Sequence, residues 1–156
     1  MFKTKEKGKK GFTLLEMMVA LAIFLMVSLV SVSIFVTAVQ NQRRDFMIQN
    51  LQDNARYIME AFSKEVRMSE IRNTNGDATR LNIKNQDYIE LNYEFTSSDL
   101  LRGINPLNST NVSVQGGFYV IKSGEQPRVT IKMILTPAGS TEPKIQVQNT
   151  VTSRKY

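Results

Sequence analysis

The stretch KKGFTLLEMMVALAIFLMVSLVSVSIFVTAV, residues 9–39, governs the architecture of this chain. Two lysines and a glycine precede an apolar run, residues 12–39, in which Glu16 is the single charged residue. A helix needs about 20 apolar residues to cross a bilayer, and this run is longer. Hydroxyl side chains inside it can bond back to carbonyls one turn earlier. They belong to Thr13, Ser28, Ser31, Ser33 and Thr37. The run therefore predicts a transmembrane helix.

Charge around the run predicts its orientation. Residues 1–11 hold five lysines and one glutamate, which supply +4 of the formal net charge of +6. Arg43 and Arg44 follow the run. More cations before the span than after it place the N-terminus in the cytoplasm and the rest of the chain outside. We therefore expect a single-pass protein of the cytoplasmic membrane with an exported C-terminal part.

An amphipathic helix continues beyond the span. Apolar residues recur every three or four positions: Ile48, Leu51, Ala55, Ile58, Phe62 and Val66. This spacing is typical of one buried helical stripe. Proline is absent before Pro106, and glycine is absent between Gly11 and Gly76. We expect one helix from about residue 12 to about residue 72, roughly 90 Å long at ~1.5 Å per residue. The segment 73–77 is rich in residues that end helices.

After Gly76 the apolar period changes to two, which predicts strands. Turn-forming residues separate the strands at 105–106, 116–117, 124–127 and 137–139. Close spacing predicts hairpins in an antiparallel sheet, whose apolar face the helix stripe would cover. The alternating apolar positions are Leu81, Ile83, Ile89, Leu91, Tyr93, Phe95, Val112, Val114, Phe118, Val129, Ile131, Met133, Leu135, Ile145, Val147 and Val151.

Glu16 lies inside the apolar run, where a carboxylate costs on the order of 2.5–3.5 kcal/mol at a span centre and less near an interface. If the chain were cut after Gly11, Phe12 would gain an ammonium group one helical turn from Glu16. That ammonium could pair with its own Glu16 or with Glu16 of a neighbouring subunit. Alternatively, Glu16 could extend to the membrane interface. The residues alone leave these readings open.

The segment Lys10-Gly11-Phe12-Thr13-Leu14-Leu15-Glu16, with the apolar run behind it, resembles the prepilin signal of type IV pilins, type II secretion pseudopilins and competence pseudopilins. The resemblance implies that a membrane prepilin peptidase cuts between Gly11 and Phe12 and methylates the new Phe12 amine. It also implies that Glu16 supports subunit docking. The implied fold is α+β and lollipop-shaped, with a long N-terminal helix packed on a C-terminal antiparallel sheet.

The segments 56–67 and 150–154 are similar to those of minor pilins and J-type minor pseudopilins. Major pilins often have a proline within the stalk helix and a cysteine-closed loop near the C-terminus, and this chain has neither. The resemblance therefore implies a minor pilin or pseudopilin of a type IV pilus, a type II secretion pseudopilus or a DNA-uptake filament. The implied partners are prepilin peptidase, other pilin or pseudopilin subunits, an inner-membrane assembly platform and the lipid bilayer.

The predicted segments are a cleaved basic leader, residues 1–11, the transmembrane half of the helix, 12–39, its amphipathic half, 40–72, and an antiparallel β domain, 73–156. The alternative is an uncleaved single-span protein whose exported β domain is a binding module. The mass of the mature chain distinguishes the two.

Composition argues against other functions. The chain lacks histidine and cysteine, which excludes Ser–His–Asp and Cys–His catalysis, thiolate metal sites and disulfides. We expect neither an enzyme nor a cofactor. The acidic residues after Gly76 do not follow a calcium-loop spacing, so no metal site is predicted. Without residues 1–11 the net charge is +2, which makes nucleic acid a weak candidate partner. The arginines at 43, 44, 56, 67 and 72 fit an exposed helix face better.

Overall fold

A computed structural model of the chain describes residues 11–85, 87–122 and 126–154. Within these residues one long helix precedes nine strands, and all strand pairs are antiparallel, which confirms the α+β class. The predicted leader lies outside the described residues except for Gly11. The elements are α1 Leu14–Arg67, β1 Glu70–Ile71, β2 Gly76–Ala78, β3 Arg80–Lys84, β4 Glu90–Phe95, β5 Leu100–Arg102, β6 Asn105–Pro106, β7 Val112–Ile121, β8 Arg128–Pro137 and β9 Ile145–Thr152.

The chain divides into two compact units, Met1–Arg43 and Arg44–Tyr156. In the first unit, the apolar side chains of α1 are exposed apart from the half-buried Val39. In the described part of the chain, α1 is the one helix long and apolar enough to cross a membrane. The hydroxyl of Ser31 donates to Val27 O at 2.8 Å, and that of Thr37 donates to Ser33 O at 3.0 Å. These bonds confirm the predicted back-bonding for Ser31 and Thr37.

In the second unit, α1 buries the predicted stripe. Leu51, Ala55, Ile58, Phe62 and Val66 are the buried residues of this helix. Spacings of three and four place all five on one face, which packs into the core formed with the strands. At the centre of the core, the Phe62 ring stacks on Phe118 with a centroid separation of 5.7 Å.

The helix is shorter than predicted, because it ends at Arg67 rather than near residue 72. Ser69 ends it locally, since its hydroxyl donates to Glu65 O at 2.7 Å and its amide donates to Val66 O at 3.3 Å. The end of the chain satisfies other carbonyls here: Arg154 N donates to Arg67 O at 2.9 Å. Pairing of β1 with β3 then outweighs the helical propensity of Glu70 and Ile71.

The strands form two sheets instead of the single predicted sheet. The first has the order β1-β3-β4-β5-β6, and the second has the order β2-β7-β8-β9. The longest pairing joins β7 to β8 over ten residues, from Val112↔Pro137 to Ile121↔Arg128. Alternate residues of both strands enter the core, as the period of two predicts. The sequence signals for strands were therefore correct, but they did not show which strands share a sheet.

Two predicted turns are wrong. Gly116 and Gly117 lie inside the continuous strand β7, because Gly116 is needed for close packing rather than for a turn. A Cβ at Gly116 would lie 2.1 Å from Lys132 O and 3.0 Å from the Phe95 ring. The turn predicted at residues 105–106 lies slightly earlier, at Gly103, whose φ of 64° suits glycine. Residues 105–106 instead form β6.

The turn after Pro137 is confirmed, because Gly139 adopts a φ of 77° between β8 and β9. The predicted turn at 124–127 falls partly outside the described residues. Ile89 precedes β4 and is 61% exposed, so it does not belong to the core as the alternating pattern predicted. Its position next to Tyr88, a loop residue with a φ of 62°, breaks the alternation.

An ionic cluster joins the helix to the first sheet, and no sequence pattern predicted it. The Tyr93 hydroxyl donates to Glu65 Oε2 at 2.5 Å, and Arg102 Nε donates to Glu65 Oε1 at 2.8 Å. Burial and the bond to Glu65 raise the pKa of Tyr93 far above its ordinary value. The same carboxylate raises the pKa of Arg102 through its hydrogen bond. This cluster links α1 to β4 through the neutral Tyr93 hydroxyl and to β5 through the Arg102 guanidinium, both of which donate to the Glu65 carboxylate.

Candidate processing and assembly site

The bond predicted to be cut lies just before α1. Gly11, Phe12 and Thr13 have no helical or strand structure, and the helix begins at Leu14. Phe12 is 80% exposed, and a side chain added at Gly11 would meet no other atom within 4 Å. A protease needs its scissile bond in extended, accessible backbone, and a helical peptide bond would first have to unwind. Gly11 and Phe12 lie before the helix and Phe12 is exposed, so this bond does not need helical unwinding.

Thr13 and Glu16 form a reciprocal cap at the start of α1. Glu16 N donates to Thr13 Oγ1 at 3.2 Å, while Thr13 N donates to Glu16 Oε2 at 3.4 Å. This is the capping box, in which a threonine and a glutamate three residues later each satisfy the other's backbone amide. Met17 N donates to Thr13 O at 3.2 Å and closes the first helical turn. The pair sets where the helix starts, two residues after the predicted cleavage site.

The capping box was missed in the sequence, although its signal was present. The pattern Thr-x-x-Glu immediately before an apolar run is the known signature of this cap. The sequence predictions for Glu16 were an ion pair with an ammonium at Phe12 or extension to the membrane interface, and neither included this cap. The structure shows that, with the Gly11–Phe12 bond in place, the carboxylate already accepts a hydrogen bond from its own chain. Glu16 therefore has a role in starting the helix as well as its predicted role in assembly.

Glu16 is the one ionisable side chain of α1 before Arg43. Its neighbours on the helix are exposed apolar residues, with Leu15 at 74% and Met17 at 61% exposure. A negative charge near a helix N-terminus is favoured by the helix dipole, by about 0.3–1 kcal/mol at exposed sites. In an apolar setting, a nearby cation would add to this stabilisation. An ammonium at Phe12 would be the nearest group in sequence able to provide it.

The other candidate residues do not gather into a site. Tyr93, Phe95 and Phe118 are core residues, as their strand spacing suggested. No group of three or more acidic residues in the described ranges could hold a metal ion. Arg43, Arg44, Arg56, Arg67 and Arg72 are all exposed, as expected of a solvated surface.

Asn108 begins one of two short sequence patterns for N-glycosylation, and the structure makes it a buried structural residue. Its side chain is 6% exposed. It accepts from Leu100 N at 3.0 Å and donates to Val112 O at 2.6 Å and to Asp99 Oδ1 at 2.8 Å. A side chain held by three such bonds is not available for a glycan, so Asn108 supports the loop between β6 and β7.

Comparison with known proteins identifies the N-terminal signal. Residues 7–32 match the family model described as the prokaryotic N-terminal methylation motif, which covers about a sixth of the chain. No curated protein and no solved structure matches the chain. The match shows that the chain carries a type IV pilin-like signal. Such a signal belongs to structural proteins, and together with the apolar helix it indicates membrane anchoring, processing by a prepilin peptidase and assembly with other pilins.

Proposed function

We propose that this chain is a minor pilin or pseudopilin, cut between Gly11 and Phe12 and then incorporated into a filament through its N-terminal helix. The observation that carries the proposal is the arrangement at the start of α1. An accessible, non-helical Gly11–Phe12 bond precedes a capped helix whose apolar half holds one carboxylate, Glu16. The methylation motif covers this same segment.

Cleavage would change the partners of Glu16. Before the cut, the Phe12 nitrogen belongs to a peptide bond, and the carboxylate accepts from Thr13 N. After the cut, Phe12 carries an ammonium that is largely protonated at neutral pH. In an assembled filament, this ammonium pairs with the Glu16 carboxylate of a neighbouring subunit, which removes two charges from an apolar environment. The pair forms at one axial offset only, so it also sets the register between subunits.

The proposed minor role rests on the uninterrupted helix. Between Leu14 and Arg67 there is no proline, and the sequence contains no cysteine to close a C-terminal loop. The subunit thus has no proline that would interrupt the helix, and within the described residues the hydrophobic core and the Glu65 cluster join α1 to the strands. In isolated filaments, quantitative mass spectrometry should find this chain well below one copy per major subunit.

Intact-mass measurement of the protein extracted from its host membrane tests the processing step. We expect loss of residues 1–11 and the added mass of one methyl group on Phe12. The matched variants are Gly11→Ala, which should be cut slowly, and Gly11→Val, whose branched side chain should block cleavage. A wild-type chain that keeps residues 1–11 in cells with an active peptidase would instead support an uncleaved, membrane-anchored binding module.

The lack of cysteine allows the proposed topology to be tested in the same cells. Thr74→Cys introduces a single thiol in the loop between β1 and β2, where Thr74 is exposed. A membrane-impermeant maleimide should label this thiol from outside the cytoplasmic membrane in intact cells or spheroplasts. Labelling only after the membrane is opened would reverse the orientation and contradict an exported β domain.

A further inference from the structure

The two sheets have four edges, and three of them are very short. β1 and β6 end the first sheet with two residues each, and β6 contains Pro106. β2 ends the second sheet with three residues. The remaining edge is β9, Ile145–Thr152, with eight residues. Short edges and proline protect a sheet from pairing with another chain. In the described part of the chain, β9 is the one long edge, and it has neither form of protection.

The direction of the β9 backbone groups follows from its pairing with β8. Ser153 N donates to Pro127 O at 2.9 Å, which makes this position a hydrogen-bonded pair. Hydrogen-bonded pairs alternate along an antiparallel ladder. The groups of Val151, Asn149, Val147 and Ile145 therefore point to β8, and those of the residues between them point away. The outward N–H and C=O groups belong to Gln146, Gln148, Thr150 and Thr152.

These outward groups are open to solvent. The side chains of Gln146, Gln148 and Thr150 are exposed, and no hydrogen bond reaches the backbone of the four outward residues from residues 11–85, 87–122 or 126–154. The inner side of the strand is held in place, since Val147 packs against the core and Asn149 Nδ2 donates to Ser63 Oγ at 3.2 Å. The edge is thus a fixed row of backbone donors and acceptors.

The devices that normally protect such an edge are absent from β9. Its sequence, IQVQNTVT, contains no charged residue and no proline, and its pairing with β8 runs without a bulge from Ile145 to Thr152. An extended segment laid beside such an edge gains main-chain hydrogen bonds and places alternate side chains on the two faces. An extended strand therefore fits this surface better than a helix or a small molecule.

Positive charges at both ends of β9 narrow the choice of occupant. Lys144 precedes the strand, Arg154 follows it, and Arg128 pairs with Thr152. Lys144 forms an ion pair with Glu142 at 3.6 Å, and because both side chains are exposed this pair contributes little free energy. Antiparallel pairing of two copies of β9 would bring the Lys144 end of one copy beside the Arg154 end of the other. Like charges at both ends therefore disfavour a second copy of this chain.

We propose that the free edge of β9 binds an extended strand of a different protein, uncharged at its centre and acidic at its ends. The edges of a second copy other than β9 span two or three residues and cannot receive eight. An acidic strand end meets Lys144 at one end of β9, and the other meets Arg154 and Arg128. The proposal concerns a partner of the β domain and does not depend on cleavage after Gly11.

Two synthetic peptides test the proposal with the full chain in detergent. Both have a central Thr-Val-Thr-Val-Thr-Val segment, which is flanked by glutamate pairs in one peptide and by lysine pairs in the other. We expect the acidic peptide to bind about tenfold more tightly at low salt, with a smaller difference at high salt. In hydrogen exchange followed by NMR, the amides of Gln146, Gln148 and Thr150 should exchange fast alone and slowly with the peptide. Those of Val147 and Asn149 should be slow in both states.

Variants of the outward residues separate main-chain binding from side-chain effects. Gln148→Pro removes an outward N–H without removing a bond to β8, and it should abolish peptide binding. Gln148→Ala keeps that N–H and should bind within about twofold of wild type. Gln146→Pro repeats the test at a second outward position. The amides of Val120 in β7 and Val129 in β8 should exchange hydrogen as slowly in the proline variants as in wild type, which would show that the variants are folded.

Three results would overturn the proposal. Equal affinity for the two peptides would remove the charge argument, and wild-type binding by both folded proline variants would remove the edge itself. A dimer of the full chain that dissociates in Gln148→Pro, but persists in Gln148→Ala, would show that a second copy occupies β9 instead.

Discussion

The hydroxyl of Tyr93 donates to Oε2 of Glu65 at 2.5 Å, across 28 residues of sequence. Tyr93 is fully buried on β4, and its ring meets Phe62 of α1 edge-on at 5.4 Å between centroids. One residue thus packs on the helix with its ring and bonds to it with its hydroxyl. This contact helps to fix residues 44–67 of α1 against the strands of the second unit.

Tyr93→Phe should destabilise the second unit. The change keeps the ring but leaves one oxygen of the partly buried Glu65 carboxylate without its donor, and a hydrogen bond to a charged group is worth about 1.5–3 kcal/mol. Urea unfolding of the full chain in detergent, followed by near-ultraviolet circular dichroism, measures the loss. Tyr119→Phe is the control, because Tyr119 is 44% exposed on β7 and should change stability little. Equal losses in the two variants would contradict the proposed role of the bond.

Alkaline pH should reduce the difference between wild type and Tyr93→Phe. Burial and the bond to Glu65 raise the pKa of Tyr93 in the folded state, while the unfolded chain titrates near the ordinary value of about 10. Above that pH the unfolded state loses the proton that the folded state keeps, so the stability that Tyr93 contributes declines as pH rises. Unfolding free energies on either side of this pH test the prediction, and a constant difference would refute it.

Gly116→Ala and Gly117→Ala should differ sharply. A Cβ at Gly116 would lie 2.1 Å from Lys132 O and 2.9 Å from Met133 Cα, so β7 and β8 would have to separate. At Gly117, the nearest atom would be Ala78 O at 3.6 Å, an ordinary contact. Overpacking typically costs about 1–3 kcal/mol, and the backbone contact places Gly116→Ala at or above that range. Thermal unfolding of both variants is the measurement, and similar melting temperatures would contradict the close packing.

Glu16→Ala should leave membrane insertion intact and strongly reduce filament incorporation. The variant lacks the carboxylate that would pair with the Phe12 ammonium of a neighbouring subunit, and it also loses half of the cap with Thr13. Membrane fractionation and immunoblotting of sheared filaments measure the two effects.

Thr13→Val separates the two roles of Glu16. It removes the hydroxyl that accepts from Glu16 N but keeps the carboxylate, and loss of such a cap costs about 1 kcal/mol. Thr13→Val should therefore assemble better than Glu16→Ala. If Glu16→Ala enters filaments as wild type does, the proposed assembly role is wrong.

The site was partly readable from the sequence. Glu16 stands out because a charge inside an apolar run is costly, and this cost is local to the run. Gly11 and Phe12 were predicted from the resemblance to a prepilin signal, and their processing stays a prediction. The Thr13–Glu16 cap was also readable, since its four-residue pattern is local. The edge of β9 was not readable, because a strand becomes an edge only through the order of all the strands in its sheet.

By itself, the sequence determined the apolar span, the helical stripe from Leu51 to Val66 and the alternation of β8, because each depends on the burial of neighbouring positions along one element. The tertiary structure alone decided that α1 stops at Arg67, that the strands divide into two sheets and that Gly116 lies within β7. It also brought Tyr93 and Arg102 to Glu65. These features depend on contacts between residues far apart in the chain, and such contacts leave no periodic signal in the sequence.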